Sequence, residues 1–464
     1  MKNQKLEEFE NYINSKKVAI IGLGVSNIPL IDYMHEKNAT VTIFDDREKE
    51  EISDEIIEKL NNYGFEINCG KDNLKRLNEF DIIFRSPSCL PSRQELVEES
   101  KRGAIVTTEI EMLMKMCPCK VIGVTGTEGK TTTSSIIAEI VKKAGFNCYL
   151  GGNIGTPLFT KLPEISEKDI IILEMSSFQL MGMEISPDIS LVTNIYPDHL
   201  NIHSSYEEYQ EAKKSIFRHQ NSDGIVVLNS DNEITKSFAK EANGKVIFFS
   251  SKQKLENGYF YDTTDGNIKY CENGKETCII NKSQIKLRGI HNYENICAAL
   301  AVTSSITDVA TQVKAISEFI GVEHRLEFVR EIKGVKYYND SIGTSPASTI
   351  AGLNAFDENI VLLAGGADKG LDYKEIGKKI AEKVGTLILC GPTSGKIEEA
   401  TKSALNGKNI NILKVTNMEE AVNFAKQNAK PGDIVLLSPA STSFDLYRNF
   451  AERGNVFKEL VNKI

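Results

Sequence analysis

The chain has 464 residues, which at roughly 100–200 residues per domain makes two to four domains. A net charge of −9 excludes a protein built to grip nucleic acid non-specifically. A mean hydropathy of −0.24, no apolar run near the roughly 18–20 residues that cross a bilayer, and a charged N-terminus without an apolar signal segment exclude membrane insertion and point to the cytoplasm.

The first apolar run, residues 18–21, ends in Gly22-Leu-Gly24-Val-Ser-Asn27. Runs at 40–44 and 80–84 end in Asp45-Asp46-Arg47 and Arg85-Ser86-Pro87, with helical patterns between them. Alternating strand and helix predicts a parallel sheet in an α/β domain over residues 1–107. Gly22, Gly24 and Asp45 form a partial dinucleotide fingerprint, with Asn27 where the third glycine belongs. On these residues alone a nicotinamide-dependent oxidoreductase stays open.

The second stretch, 108–321, has strand-like runs at 121–124, 170–173 and 189–193. After the first comes Gly126-Thr127-Glu128-Gly129-Lys130-Thr131-Thr132, then a segment with Ile136, Ile137, Ile140, Val141 and Ala144 on one helical face. Strand, glycine loop, Lys-Thr and helix is the context of a P-loop, although position 124 is valine where the general pattern has glycine. The glycines let backbone N–H groups close on phosphate, and the helix N-terminus adds positive potential. Lys130 can reach terminal phosphates, and the Thr131 hydroxyl can reach Mg²⁺. Glu174 ends the run at 170–173, where a carboxylate beside a P-loop is placed to hold Mg²⁺. Asn194-Ile-Tyr-Pro-Asp198-His199 ends the next run and suits a metal or a substrate carboxylate. The helix that follows puts Tyr206, Tyr209, Lys213 and Ile216 on one face. Burying an unpaired ammonium is costly, so an inward Lys213 needs a reason. After about residue 222, short apolar runs alternate with Gly/Asn/Asp turns, which predicts a β-rich flank. The nine cysteines are scattered and odd in number, and Cys117-Pro118-Cys119 lacks the C-x-x-C spacing, so no disulfide framework or zinc site is indicated.

The third stretch, 322–464, has strands at 335–338, 360–363, 386–389 and 434–438, each followed by a helical pattern. It carries His324-Arg325, Tyr338-Asn339-Asp340-Ser341, Gly365-Gly-Ala-Asp-Lys369 and a run from Ser438 through Ser443 and Phe450 to Glu452-Arg453-Gly454. Ligands of open α/β sheets bind beyond the carboxyl ends of strands, where these clusters fall.

The loop Gly126–Thr132 resembles the ATP loop of the Mur ligase family, which includes the folylpolyglutamate synthetases. The family usually has Asn where this chain has Glu128. The resemblance continues through Glu174-Met-Ser-Ser-Phe-Gln179, Asn194 to His199, Tyr209 to Lys213, His291-Asn-Tyr-Glu-Asn295, His324-Arg325 and Asn339-Asp-Ser. It implies an ATP site formed by Gly126, Thr127, Glu128, Gly129, Lys130, Thr131, Thr132, Asn292, Asn295, Arg325 and Asp340. It implies two Mg²⁺ ions held by Thr131, Glu174, His199 and Lys213, with Lys213 carbamylated by CO₂. Lys130, Glu174, His199 and Lys213 would then be the catalytic set. Gly151-Gly-Asn153-Ile-Gly155, Ser86-Pro87-Ser88, where Ser88 replaces the family's glycine, and the C-terminal segments resemble the D-glutamate-adding branch. Uridine diphosphate would lie near Gly24, Val25, Ser26, Asp46, Arg47 and Ser86. The muramoyl part would meet Asn153, and other substrate contacts would fall on Thr344, Lys369, Ser443 and Phe450. Ile342 replaces a family lysine.

The fold so implied has a Rossmann-like N-terminal domain, a central P-loop ATPase-like parallel sheet with a β-rich flank, and a Rossmann-like C-terminal domain. The implied activity is ATP-dependent joining of D-glutamate to UDP-N-acetylmuramoyl-L-alanine through an acyl phosphate, in peptidoglycan biosynthesis, by a monomer. The alternatives are a sister ligase, a folylpolyglutamate synthetase, which should lack the N-terminal UDP domain, and a P-loop binding protein without ligase activity.

Overall fold

A computed structural model of the chain describes residues 3–155, 157–199, 202–287, 289–368, 370–405 and 407–464. It divides into two compact units, Met1–Gln284 with His291–Ser317, and Ile285–Ile290 with Glu318–Ile464. Among the described residues no helix is long and apolar enough to cross a membrane.

The first unit holds two sheets. In the first are β1 (Lys17–Ile21), β2 (Thr40–Asp45), β3 (Glu66–Cys69), β4 (Ile82–Arg85) and β5 (Ile105–Thr107). They run parallel in the order β3-β2-β1-β4-β5. β1, β2 and β4 are the expected runs, apolar because they are covered on both faces. β3 and β5 add the edges.

The second sheet contains β6 (Lys120–Thr125), β7 (Cys148–Gly152), β8 (Ile170–Glu174), β9 (Ile189–Val192), β10 (Ile225–Asn229), β11 (Lys245–Ser250), β12 (Gly258–Asp262), β13 (Asn267–Glu272) and β14 (Lys275–Asn281). Its order is β14-β13-β12-β11-β10-β9-β6-β8-β7. The β-rich flank is therefore continuous with the central sheet. β10, β11 and β12 extend it in parallel, and β13 runs antiparallel between β12 and β14. β6 lies between β8 and β9, so the loop that leaves it opens between two strand ends. The buried Phe159 meets Phe9, Tyr33 and Phe84 edge-on at 5.9, 5.1 and 6.3 Å between ring centres. This aromatic wedge belongs to one apolar core that joins the two sheets and sets their relative position.

The second unit holds β15 (Glu327–Ile332), β16 (Val335–Asn339), β17 (Ile360–Ala364), β18 (Val384–Cys390), β19 (Asn411–Val415) and β20 (Ile434–Leu437). The order is β15-β16-β20-β17-β18-β19, parallel except for β15. Two apolar clusters cover its faces, one around Leu362, Leu387 and Leu436, the other around Val361, Val435 and Phe457.

Candidate active site

The loop after β6 is shaped by crowding. Gly126 has φ +145°, and a Cβ there would lie 1.9 Å from the Thr193 hydroxyl. Gly129 has φ +81°, and a Cβ there would meet Asn295 Oδ1 at 2.6 Å. The helix Lys130–Lys143 starts at once, with Ile136, Ile137, Ile140 and Val141 buried as their spacing requires. Asn194 clamps the loop from β9, taking the Glu128 N–H on its Oδ1 at 2.9 Å and donating to the Glu128 carbonyl at 3.2 Å. Lys130 Nζ folds back and donates to the carbonyls of Gly126 at 3.0 Å and Thr127 at 2.8 Å. Thr132 is buried in the first turn, and the Glu128 side chain is exposed. Asn295 accepts from the Thr133 hydroxyl at 3.2 Å and donates to Asn292 Oδ1 at 3.3 Å, so both expected asparagines sit against this loop.

Glu174, at the tip of β8, is 1 % exposed. One oxygen accepts from the Thr131 hydroxyl at 2.7 Å and the other from Asn153 Nδ2 at 3.0 Å. Gly152 makes this possible, because any side chain there would strike the Glu174 carbonyl. A hydroxyl beside a buried carboxylate is a hard oxygen pair that suits Mg²⁺.

Lys213 lies inside the helix Tyr206–Arg218 and is 2 % exposed. Its Nζ donates to Gly126 O at 2.9 Å and Thr125 Oγ1 at 3.3 Å, and stands 4.8 Å from the centre of the Tyr209 ring. Burial, then repulsion from Lys130, holds its pKa well below the ordinary lysine value. The amine is thereby biased toward its neutral form. Lys214, one step round the helix, instead bridges Glu211 and Glu241.

His199 is half-exposed and has a left-handed backbone, φ +53°. Its ring lies 3.4 Å from Asp198 and edge-on to Phe178. His203, absent from the sequence reading, is fully buried. Its Nε2 pairs with the Ser177 hydroxyl at 2.9 Å, and its ring stacks on Phe178. Ser176, Gln179 and Arg85 were also not singled out. Ser176 and Gln179 form a capping box over the short helix Ser177–Leu180. Arg85 is buried and donates to the carbonyls of Cys89 and Met181, linking the two sheets. A second histidine four residues after His199 is the signal that would have found His203.

Gly126, Lys130, Asn153, His199 and Lys213 line one groove of about 570 Å³, together with Val25, Ser26 and Ser88 from the ends of β1 and β4. The other expected nucleotide contacts are tied up locally. Arg47 donates to Asp45 at 2.8 and 3.0 Å, while Asp46 accepts from Asn73 at 3.1 Å. Gly24 is exposed on the turn after β1, and Ser86 is buried with its hydroxyl 3.0 Å from that of Ser88. Asp45 also takes the Leu23 N–H at 2.8 Å. Burial raises its pKa, but the hydrogen bonds from Arg47 and Leu23 outweigh this and hold it below the usual range.

In the second unit Asp340 is fully buried, accepting from Ser438 at 2.7 Å, with Arg325 3.8 Å away. Burial pushes its pKa up to about 6. Thr344 is half-buried in the loop after β16, Ser443 is buried after β20, and Phe450 is half-buried at a helix start, edge-on to His324. Lys369 lies outside the described residues.

Three family models match the chain: a Mur ligase MurD-like N-terminal domain over 16–108, a Mur ligase middle domain over 124–303, and a Mur ligase glutamate ligase domain over 324–441. The chain is 45% identical over 459 residues to a UDP-N-acetylmuramoylalanine–D-glutamate ligase of Clostridium acetobutylicum, covering 98% of each. It is 46% identical to the enzyme of that name from Ruminiclostridium cellulolyticum, over the whole of both chains. Its fold is similar to that of a UDP-N-acetylmuramate–alanine ligase from Thermotoga maritima, with TM-score 0.60, 19% identity, and 97% and 99% of the two chains covered. It also resembles the MurF ligase of the same organism, with TM-score 0.56, 18% identity, and 98% and 97% covered. With matches along its whole length, the chain belongs to the Mur ligase family.

Proposed function

We propose that the chain joins D-glutamate to UDP-N-acetylmuramoyl-L-alanine, coupled to cleavage of ATP to ADP and phosphate, as a step of peptidoglycan synthesis. One observation carries the reading. A single groove joins the phosphate loop, the inward Lys213 and Asn153 to Val25 and Ser26 on the other sheet, in a chain whose full-length relatives bear that activity in their names.

In this reading the alanine carboxylate attacks the γ-phosphorus of ATP, the bond to the bridging oxygen breaks, and ADP leaves. The amine of D-glutamate attacks the acyl phosphate, an amide forms, and phosphate departs. Lys130 leaves its loop carbonyls for the phosphates. Thr131, Glu174, His199 and a carbamylated Lys213 would hold two Mg²⁺ ions. These ions, when bound, neutralise charge on the transferred group. Gly126 to Thr132, with Asn292, Asn295, Arg325 and Asp340, hold ATP. Gly24, Val25, Ser26, Asp46, Arg47, Ser86 and Asn153 hold the nucleotide-linked substrate. Thr344, Lys369, Ser443 and Phe450 hold D-glutamate. The labour divides over residues 1–107, 108–321 and 322–464, in a monomer that works in the cytoplasm.

The test is phosphate release from ATP with UDP-N-acetylmuramoyl-L-alanine and, in turn, D-glutamate, L-glutamate, L-lysine or meso-diaminopimelate. Release with D-glutamate alone, and a product heavier by one glutamyl residue, is expected. Release with another amino acid moves the assignment to a sister ligase.

A further inference from the structure

One buried ring stands directly behind the groove wall. His203 is 2 % exposed. Ser177, Phe178, His199 and Tyr209 line the groove, and His203 meets all four. Its Nε2 pairs with the Ser177 hydroxyl at 2.9 Å. Its ring stacks on Phe178, with centres 5.1 Å apart and planes 11° from parallel. It meets Tyr209 edge-on at 5.3 Å. Its backbone N–H donates to the His199 carbonyl at 3.1 Å, which closes a turn on that left-handed residue.

These contacts form one continuous row. The His199 ring lies edge-on to Phe178 at 5.1 Å, Phe178 stacks on His203, and His203 abuts Tyr209. The Tyr209 ring in turn lies 4.8 Å from Lys213 Nζ. Its hydroxyl is 3.0 Å from that of Thr127 in the phosphate loop. Two side chains assigned to Mg²⁺, His199 and Lys213, therefore sit at the ends of the row, and His203 is its middle member.

The imidazole serves as a ring more than as a hydrogen-bonding group. Its Nδ1 is buried and, among the described residues, makes no hydrogen bond; the Glu208 carboxylate stands 3.7 Å off. A buried nitrogen left unpaired costs stability. What offsets it is aromatic contact on two sides, in the stacked and edge-on arrangements that ring quadrupoles favour. Interiors are close-packed, so a ring held on both sides fixes its neighbours in turn.

Resting on the ligase reading above, we infer that His203 is a positioning residue for the metal site: its ring sets the spacing between His199 and Lys213 by stacking, from behind the wall and without touching substrate or Mg²⁺.

Full-length His203→Phe, His203→Gln and His203→Leu are compared with the parent. Phe keeps a flat ring and loses the bond to Ser177. Gln keeps a partner for Ser177 and loses the ring, and Leu fills space with neither. The first readout is Mn²⁺ binding to the ADP-loaded protein, followed by electron paramagnetic resonance. The two ringless variants should bind Mn²⁺ about 10–100-fold more weakly, the scale of losing a group that orients a metal ligand. ADP affinity without metal should match the parent's. In turnover their kcat should fall while KM for D-glutamate holds. His203→Phe should keep Mn²⁺ binding close to the parent's. Melting curves show which variants fold, and either ringless one suffices for the comparison. Parent-like Mn²⁺ binding in a folded ringless variant, or a loss in folded His203→Phe as large as theirs, overturns the inference. A parent that releases no phosphate with D-glutamate overturns the ligase reading instead, so the two failures are distinct.

Discussion

The Thr131 hydroxyl donates to the Glu174 carboxylate at 2.7 Å, so the first turn of the phosphate-loop helix and the tip of β8 present their oxygens side by side. Asn153, from beyond β7, holds the other carboxylate oxygen. Partners that orient a metal-binding group are worth about 10–100-fold in metal affinity. Asn153→Ala should therefore raise the Mg²⁺ concentration needed for half-maximal phosphate release by about that factor. Its melting point should stay put, because the Asn153 side chain is exposed. An unchanged Mg²⁺ dependence would leave Asn153 to the substrate alone.

Lys213 should need CO₂. Stripping dissolved CO₂ and bicarbonate should lower turnover, and adding bicarbonate should restore it. Protein equilibrated with ¹³C-bicarbonate should give a carbamate carbon signal that Lys213→Ala lacks. That variant should lose activity by about 10²–10³-fold or more, the scale of losing a charge-stabilising group. Full turnover in it would end the carbamate assignment.

Gly126→Ala tests the loop. Its φ of +145° is one that residues with side chains rarely adopt, and the added carbon would fall 1.9 Å from the Thr193 hydroxyl. The loop must shift, at a cost above about 1 kcal/mol. Nucleotide binding should fall by at least about tenfold, measured by calorimetry with ADP. The second sheet, whose core lies elsewhere, should keep its circular dichroism.

Glu109 gives a pH signature. Its carboxyl is buried, accepts the Phe159 N–H at 2.8 Å, and is pushed by burial from 4.5 up to about 7. Between those values the folded chain binds more protons than the unfolded one, so stability from this group is greatest below pH 4.5 and falls as pH rises toward 7. Glu109→Gln keeps an acceptor oxygen and removes the titration. Its advantage over the parent should grow between pH 5 and pH 8, by at most about 3 kcal/mol. Denaturant melts at the two pH values decide this, and a constant difference would refute it.

Most of the buried strands were legible because each is a short apolar run ending in a polar cluster. β3, β5, β7, β15 and β19, all at sheet edges, were not, and neither were β12 and β13 inside the second sheet, which were read only as part of a β-rich flank. One side of an edge strand is open, so its residues need not be uniformly apolar, as the partly exposed Glu66–Cys69 and Glu327–Ile332 show. In the site, residues adjacent along the chain to the loop and strand tips could be named, and Lys213 followed from helical spacing. His203 was signalled only by its place four residues after His199, and its partners required knowledge of which loops and helices come together. The stacking of that histidine on Phe178 leaves no mark in the spacing.

Thr133, at the base of the phosphate loop, finds its partner Asn295 162 residues later, and Asn295 is also what Gly129 leaves room for. On the ribosome, at about 5–20 residues per second, some 8 to 30 seconds separate the two. The nascent loop spends that interval without the side chain that braces it, so a chain stalled before residue 295 should be a poor nucleotide binder even with its glycine loop fully made. Completion of the nucleotide pocket is thereby tied to a late moment in translation.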